Sequence, residues 1–199
     1  MIAHRISLKY FVSEPDNVYL PAFVPIFHRW IQQHQLEGLL IDVADYKHVP
    51  QGPGIILVGY DGDYALDMGG GRAGLMYTRK RNLDGDLHTV LHRVFRLALT
   101  ACSLLEADAS LGGKITFRTD EAELRFLDRL HTPNRPETVE ALRRELAAAL
   151  ADVYGNVATH YTILSHDPRQ PLTLRITASG APERRTLLER LSSQAMVAG

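Results

Sequence analysis

The sequence predicts an α+β protein in which a mainly antiparallel sheet, a β-meander, packs against amphipathic helices. Residues 39–80 contain four strand-like runs separated by a Pro/Gly loop, an Asp-Gly turn and a Gly-Gly-Gly turn. Helix-patterned segments lie on both sides of this meander. Runs of strands with a few helices favour an α+β protein over a doubly wound parallel sheet.

The first segment of the chain predicts a strand, a helix and a second strand. Polar and apolar side chains alternate over residues 4–12, as in a half-buried strand. Residues 20–35 carry apolar side chains at three- and four-residue spacing, and Pro25 implies that the regular helix begins near Val24. The apolar run 39–44 then predicts a strand buried on both faces.

The meander contains the strongest local turn signal. Residues 60–63 (Tyr-Asp-Gly-Asp) predict a type I′ turn between strands 55–59 and 64–68. The three glycines 69–71 predict the next reversal, into a strand over 74–79. These glycines and Gly74 match the spacing of a dinucleotide-binding fingerprint. That motif requires a helix after the last glycine, so a strand there excludes it.

The rest of the chain mixes helices and strands. Asp84 or Asp86 is expected to cap a long helix that ends near Glu106. The pattern over 123–130 fits a strand or a helix, and we take it as a strand. A proline before and a glycine after define a helix from Pro136 to Tyr154. The remaining expected elements are strands at 115–118, 157–164 and 172–178 and a helix near 183–191.

Residues 107–113 are small and include glycines, which suggests a boundary between two lobes. The predicted division is 1–110 and 111–199. The two halves resemble each other in element order, although no residue-level repeat is visible. The sequence therefore leaves open whether they form two similar small lobes or one domain.

Composition excludes several classes of protein. The 199 residues include 22 basic and 23 acidic side chains, a net charge of −1, so nucleic acid is not an expected partner. Cys102 is the single cysteine, which rules out an intramolecular disulfide and a cysteine-based zinc site. No uninterrupted apolar stretch approaches the length of a membrane span, and no membrane association is expected. The expected location is the cytoplasm.

One candidate catalytic site follows the apolar strand 39–44. Asp42, Asp45 and His48 place carboxylates near an imidazole, a pairing that tunes a general base. The prolines and glycines of the loop 45–54 fix its backbone, which suits either a binding loop or a long connection.

A second candidate site is cationic. Arg79 and Lys80 belong to the densest basic cluster, with Arg72 nearby, and such groups bind phosphate or carboxylate. With Tyr46 of the 45–54 loop, these three are the candidate ligand-binding residues. A small anionic ligand is the corresponding partner.

A third candidate is a metal site. His88 and His92 lie four residues apart on a predicted helix, which places both imidazoles on one face. No third ligand is identifiable, so surface or interface histidines are an equal interpretation.

These observations favour a cytoplasmic binding or assembly protein, expected to be a homodimer, over a catalyst. One alternative is a small enzyme with a His/Asp pair at the 45–54 loop acting on an anionic substrate. Another is a metal-binding protein that uses His88 and His92. The sequence names no cofactor.

Overall fold

A computed structural model describes residues 5–81 and 85–195 and confirms the α+β class. The strands are β1 (Ile6–Val12), β2 (Leu40–Tyr46), β3 (Gly54–Gly59), β4 (Gly62–Asp67), β5 (Gly74–Arg79), β6 (Phe117–Phe126), β7 (Thr159–Ile163) and β8 (Leu172–Ala178). The helices are α1 (Phe23–Gln32), α2 (Leu87–Ala107), α3 (Pro136–Tyr154) and α4 (Arg184–Ala195). Within the described residues, no helix has the length and apolar character needed to cross a bilayer.

In the described part of the chain, the eight strands form one antiparallel sheet in the order β2-β3-β4-β5-β1-β6-β8-β7. The N-terminal strand β1 lies in the middle, where it pairs with β5 on one side and β6 on the other. The meander β2 to β5 therefore lies on one side of β1, and β6 to β8 lie on the other.

One face of the sheet is covered by the helices. α1 packs on β2 and β3, α2 packs on β1 and β5, and both α3 and α4 pack on α2. The strand residues that point to this side, such as Leu8, Tyr64 and Leu124, join the helices in one hydrophobic core. Burial of this apolar face is the main force that holds the layers together.

The opposite face, which we call the open face, is polar in its central part. Met76, Lys9, Glu123 and Arg175 are consecutive Cα partners across β5, β1, β6 and β8. Opposite charges on neighbouring strands stabilise such a row. Because β1 is central, Ser7 and Lys9 are each only 2% exposed, although the helices described above pack on the other face of the sheet.

Several sequence predictions are confirmed. Asp86 is the N-cap of α2 and accepts a hydrogen bond from the Thr89 backbone N–H, whereas Asp84 lies outside the described residues. The ambiguous run is a strand, because β6 extends to Phe126 and has partners on both sides. α3 begins at Pro136 and ends at Tyr154, as expected.

Three local predictions are wrong. The strand over 4–12 was expected to be half-buried, but every residue of β1 is buried, because β5 and β6 pair with it on both sides. The 39–44 run is not buried on both faces: β2 is an edge strand, and Ile41 is 54% exposed. An apolar run indicates a strand but not its position in the sheet. The type I′ turn is also absent, since neither Asp61 nor Gly62 has a positive φ. Gly62 instead begins β4, where a Cβ would lie 2.6 Å from the Tyr77 hydroxyl.

Candidate functional site

The open face contains a cleft of about 410 Å³ over β1, β6 and β8. This volume is in the usual range for small-molecule sites. Three guanidinium groups line it, together with apolar and neutral polar side chains. The cationic lining residues are Arg72, Arg125 and Arg175; the apolar ones are Phe11, Leu127, Leu164 and Pro171; the neutral polar ones are Ser165, Gln170 and Thr173. Glu123 is the acidic residue of this lining.

Arg72 forms one end of the cleft. Its guanidinium donates two hydrogen bonds, of 2.6 and 2.9 Å, to the carboxylate of Glu121. The hydrogen bond from Arg72 lowers the pKa of Glu121, so that carboxyl stays ionised at neutral pH. The same guanidinium lies 3.6 Å from the centre of the Phe11 ring. Arg72 is therefore held in place by a bidentate ion pair and a cation–π contact.

Arg175 is the least strongly held of the three cations. Its Nε lies 3.3 Å from Glu121 and its Nη2 lies 3.4 Å from Glu123. Arg125, in comparison, donates a 2.6 Å hydrogen bond to Glu123. The Nε of Arg175 is buried and has no hydrogen-bond partner among the described residues. Because its Nε is buried, Arg175 can meet a ligand through its outer guanidinium nitrogens, and the 3.4 Å contact of Nη2 is longer than the 2.6 Å hydrogen bonds of Arg72 and Arg125.

A buried ion pair fixes the glycine loop that forms one rim. Lys9 Nζ donates to Asp67 Oδ2 at 2.6 Å and to the Gly69 carbonyl at 3.0 Å. Both side chains are almost fully buried, and desolvation lowers the pKa of Lys9. Gly70 and Gly71 have φ near +70°, a conformation that glycine adopts without strain. These contacts anchor Gly69 and Gly70 beside Phe11.

The connection between β7 and β8 forms the other rim. Asn134, only 5% exposed, donates through Nδ2 to the Ser165 and Asp167 carbonyls at 2.8 and 3.0 Å. The connection is thus tied to the segment that precedes α3. Both rims of the cleft are anchored by hydrogen bonds, and strands of the sheet form its base. The site is therefore largely preformed.

The lining suits an anion that carries an apolar group. Three arginines and one glutamate give the wall an excess of positive charge. Guanidinium groups bind carboxylate and phosphate oxygens through paired N–H donors. Phe11 and Leu164 offer apolar surface next to those donors.

The structure brings one of the four predicted ligand-binding residues to the cleft. Arg72 lines it. Tyr46 is 42% exposed at the end of the edge strand β2, and Arg79 is buried on the helix-covered side. Lys80 pairs with Asp63 at 2.8 Å. The predicted basic cluster is therefore divided between the two sides of the sheet.

The predicted catalytic residues lie on the exposed edge of the sheet. The Asp45 carboxylate contacts both the backbone N–H and the Nζ of Lys47, at 3.0 and 2.9 Å. Asp42 accepts a hydrogen bond from the backbone N–H of Val43. His48 is exposed and stacks on Tyr46. This geometry adds no support to a His/Asp base, which remains a prediction.

His88 and His92 lie on successive turns of α2. His88 Nε2 is 2.6 Å from Asp152 Oδ2 of α3, a contact that joins the two helices. Over residues 5–81 and 85–195, no group of three or more His, Cys, Asp or Glu side chains is placed to hold a metal ion. The metal site stays a prediction without further support.

Sequence reasoning missed most of the cleft residues. Arg125 and Arg175 lie 50 positions apart and meet because β6 pairs with β8. Their alternation with apolar residues along each strand was the available signal. Only when the strand order is also known does this alternation place Arg125 and Arg175 on the same face of the sheet as Lys9. Comparison of the chain with protein families, with curated proteins and with solved structures found no match.

Proposed function

We propose that this protein binds a small anionic molecule, a carboxylate or phosphate with an apolar group, in the cleft on the open face. One observation carries the proposal: the Arg175 guanidinium lies in a preformed cleft and has the longest carboxylate contacts of the three cleft arginines, 3.3 and 3.4 Å, with the Phe11 ring centre 6.0 Å away. Such a group gains a charge-assisted hydrogen bond when an anion arrives.

The surrounding charges support this ligand class. Arg72 and Arg125 already neutralise Glu121 and Glu123, so a ligand anion at Arg175 does not meet an unpaired carboxylate. Phe11 and Leu164 extend the site beyond what a bare inorganic ion fills. A ligand with both a charged and an apolar part buries the most surface here.

Calorimetric titration with phenyl phosphate, benzoate and inorganic phosphate tests the proposal. We expect phenyl phosphate or benzoate to bind with one-to-one stoichiometry and inorganic phosphate to bind more weakly. Arg175→Gln should weaken binding by at least about tenfold, because it removes a charge-assisted hydrogen bond.

Arg118→Gln is the matched control. Arg118 pairs with Asp120 and Glu121 in the same ionic network but does not line the cleft. The Arg118→Gln variant should bind the aromatic anions with the affinity of the unmodified protein. Absence of binding by both aromatic ligands, or equal losses in the two variants, would contradict the proposal.

We also propose that the protein self-associates through β2. Leu39 and Ile41 are 63% and 54% exposed at this edge, and Tyr46 is 42% exposed. A long edge strand with apolar side chains is a template for pairing with another strand. Antiparallel pairing of β2 with β2 of a second copy gives a closed two-fold dimer.

Light scattering after size exclusion tests the dimer. The mass should be that of two 22.2 kDa chains. Ile41→Lys should give monomers, because a lysine at the edge opposes strand addition. Thr162→Lys, an exposed site on the polar edge strand β7, should leave the dimer intact. A monomeric unmodified protein would refute self-association. The proposed location is the cytoplasm, which cell fractionation tests.

A further inference from the structure

The cleft on the open face changes character along strand β6, with charged groups toward one end and aliphatic groups toward the other. Alternate residues of β6 face this side of the sheet, in the order Glu121, Glu123 and Arg125, and Leu127 continues the alternation just after the strand. The four steps from Glu123 to Leu127 cover about 13 Å at the usual rise of a strand. The cleft is therefore long enough to have two chemically different ends.

The charged end lies at Glu121 and Glu123. Arg72 pairs with Glu121, and Arg175 contacts both carboxylates. The Arg125 side chain reaches back to the same end, because its Nε donates to Glu123 Oε1 at 2.6 Å. The three guanidinium groups that line the cleft are thus gathered near these two glutamates.

The other end of the cleft is aliphatic. Leu127 and Pro171 lie side by side, because they directly flank the Cα pair Phe126–Leu172 of β6 and β8. Leu164 lies against the same strand, since its backbone N–H donates to a carbonyl of β8 at 3.0 Å. These two leucines and the proline line the cleft, and Leu164 is 41% exposed. This end therefore has apolar surface that a ligand can bury.

This arrangement sets the direction and the shape of a bound ligand. An anion held by Arg175 has apolar surface on the side of Leu127 and Leu164, whereas Arg72 and the Gly69–Gly70 loop lie toward the charged end. The distance of about 13 Å along β6 exceeds the length of a single aromatic ring. An alkyl chain of medium length covers this distance and contacts leucine and proline side chains along it.

The charge of the surrounding ionic network matches a ligand with one negative charge. In the described part of the chain, four guanidinium groups and three carboxylates form this network, so one positive charge is in excess. The members are Arg72, Arg118, Arg125 and Arg175 with Asp120, Glu121 and Glu123. A carboxylate neutralises this excess, whereas a phosphate monoester near neutral pH carries up to about two negative charges.

We propose that the cleft binds an unbranched aliphatic carboxylate of medium chain length. Its carboxylate lies at Arg175, and its chain lies over Leu127, Leu164 and Pro171. This inference rests on the proposed function, to which it adds the anionic group, the kind of apolar group and the direction of the ligand in the cleft.

Calorimetric titration with butanoate, hexanoate and octanoate at neutral pH tests the chain. The affinity should rise roughly two- to fourfold for each added methylene group, the range expected when a methylene is partly to fully buried. Octyl phosphate should bind no more tightly than nonanoate, which has an alkyl chain of the same length. Equal affinity for butanoate and octanoate, or at least tenfold tighter binding of octyl phosphate than of nonanoate, would overturn the inference.

Leu164→Ser tests the aliphatic end of the cleft. This variant should weaken octanoate binding by roughly fivefold, because it removes apolar contact surface, and should change butanoate binding by less than about twofold. Leu130→Ser is the matched control, since Leu130 is 84% exposed and does not line the cleft. It should leave the affinity for octanoate unchanged. Equal losses for the two ligands in Leu164→Ser, or equal losses of octanoate binding in the two variants, would refute the assignment.

Benzoate separates this inference from the proposed function. Arg175→Gln should weaken octanoate and benzoate binding alike, because both ligands place a carboxylate at this residue. Benzoate binding that requires Arg175, without any gain along the alkanoate series, would keep the proposed function and overturn the inference. Absence of binding by benzoate, phenyl phosphate and octanoate would refute both.

Discussion

Lys9 is a charged residue in the centre of the sheet, and its position defines one rim of the cleft. A buried cation is tolerated here because Asp67 lies 2.6 Å away and the Gly69 carbonyl accepts a second hydrogen bond. Such a pair fixes geometry more than it adds stability, since desolvation offsets much of the attraction. Its role is to hold the Gly69–Gly71 loop beside Phe11.

Removal of one partner of the Lys9–Asp67 ion pair should therefore strongly destabilise the protein. Asp67→Asn leaves Lys9 with a neutral partner inside the sheet, and we expect a loss of about 3–5 kcal/mol in the free energy of unfolding. Urea denaturation measures it. The double variant Lys9→Met/Asp67→Leu should recover most of that stability. A loss below 1 kcal/mol for Asp67→Asn would show that Lys9 is not effectively buried.

Glu121 makes a pH-dependent contribution through its contact with Arg72. The hydrogen bond from Arg72 lowers its folded-state pKa from the ordinary value of 4.5. The stabilisation is fully present above the unfolded pKa and is lost as pH falls from about 4.5 through the lower folded pKa. In that window, the unmodified protein should lose stability more steeply than Glu121→Gln. Parallel pH curves for the two proteins would contradict the assignment.

Strand β5 depends on close contact with its neighbour β1. A Cβ at Gly74 would lie 2.5 Å from the Tyr10 carbonyl oxygen, and this oxygen belongs to the paired backbone. Glycine is required here by space rather than by backbone conformation, because Gly74 does not have a positive φ.

Gly74→Ala should therefore destabilise the protein by about 1–3 kcal/mol, the range for overpacking. Gly112→Asn is the control, since Gly112 has open space around it and a left-handed conformation that asparagine tolerates. Its change should be within about 0.5 kcal/mol. Equal effects of the two substitutions in thermal unfolding would show that β5 moves to accept the methyl group.

Element type followed from local pattern more reliably than element position. Pro136 and Gly155 mark the ends of α3 within the chain itself, and alternation identified β1. The edge position of β2 could not be read in this way. Whether a strand lies at an edge depends on which strands pair, and the apolar run 39–44 is compatible with both positions.

At the scale of the whole molecule, the central place of β1 connects the two halves of the chain. β1 pairs with β5 of the meander and with β6 of the second half, and α2 contacts both α3 and α4. The core that these elements share is a single cluster. We therefore predict cooperative unfolding of the whole chain rather than separate unfolding of 1–110 and 111–199.

Trp30 gives a fluorescence signal for the first half, where it is buried in α1. Hydrogen exchange of the β8 amides reports on the second half. The Trp30 fluorescence and the exchange of the β8 amides should give the same free energy of unfolding in urea. Earlier loss of protection in β8 would establish two lobes of different stability.

The candidate site depends on this global arrangement, which is why sequence reasoning found only part of it. Arg72 was identified because it lies near the basic cluster at Arg79 and Lys80. Arg175 was not, because it faces Arg125 and Glu123 only in a sheet where β6 lies between β1 and β8. Long-range pairing of this kind is not encoded in local periodicity.

The most direct test of the proposed function is a titration of isotope-labelled protein with phenyl phosphate, followed by amide chemical shifts. We predict saturable shifts at Gly69 and Gly70, at Ser165 and at Thr173 and Arg175, which surround the cleft. The 45–54 loop should stay unperturbed. Shifts centred on that loop, or no saturable shifts, would contradict the assignment of the open-face cleft as the ligand site.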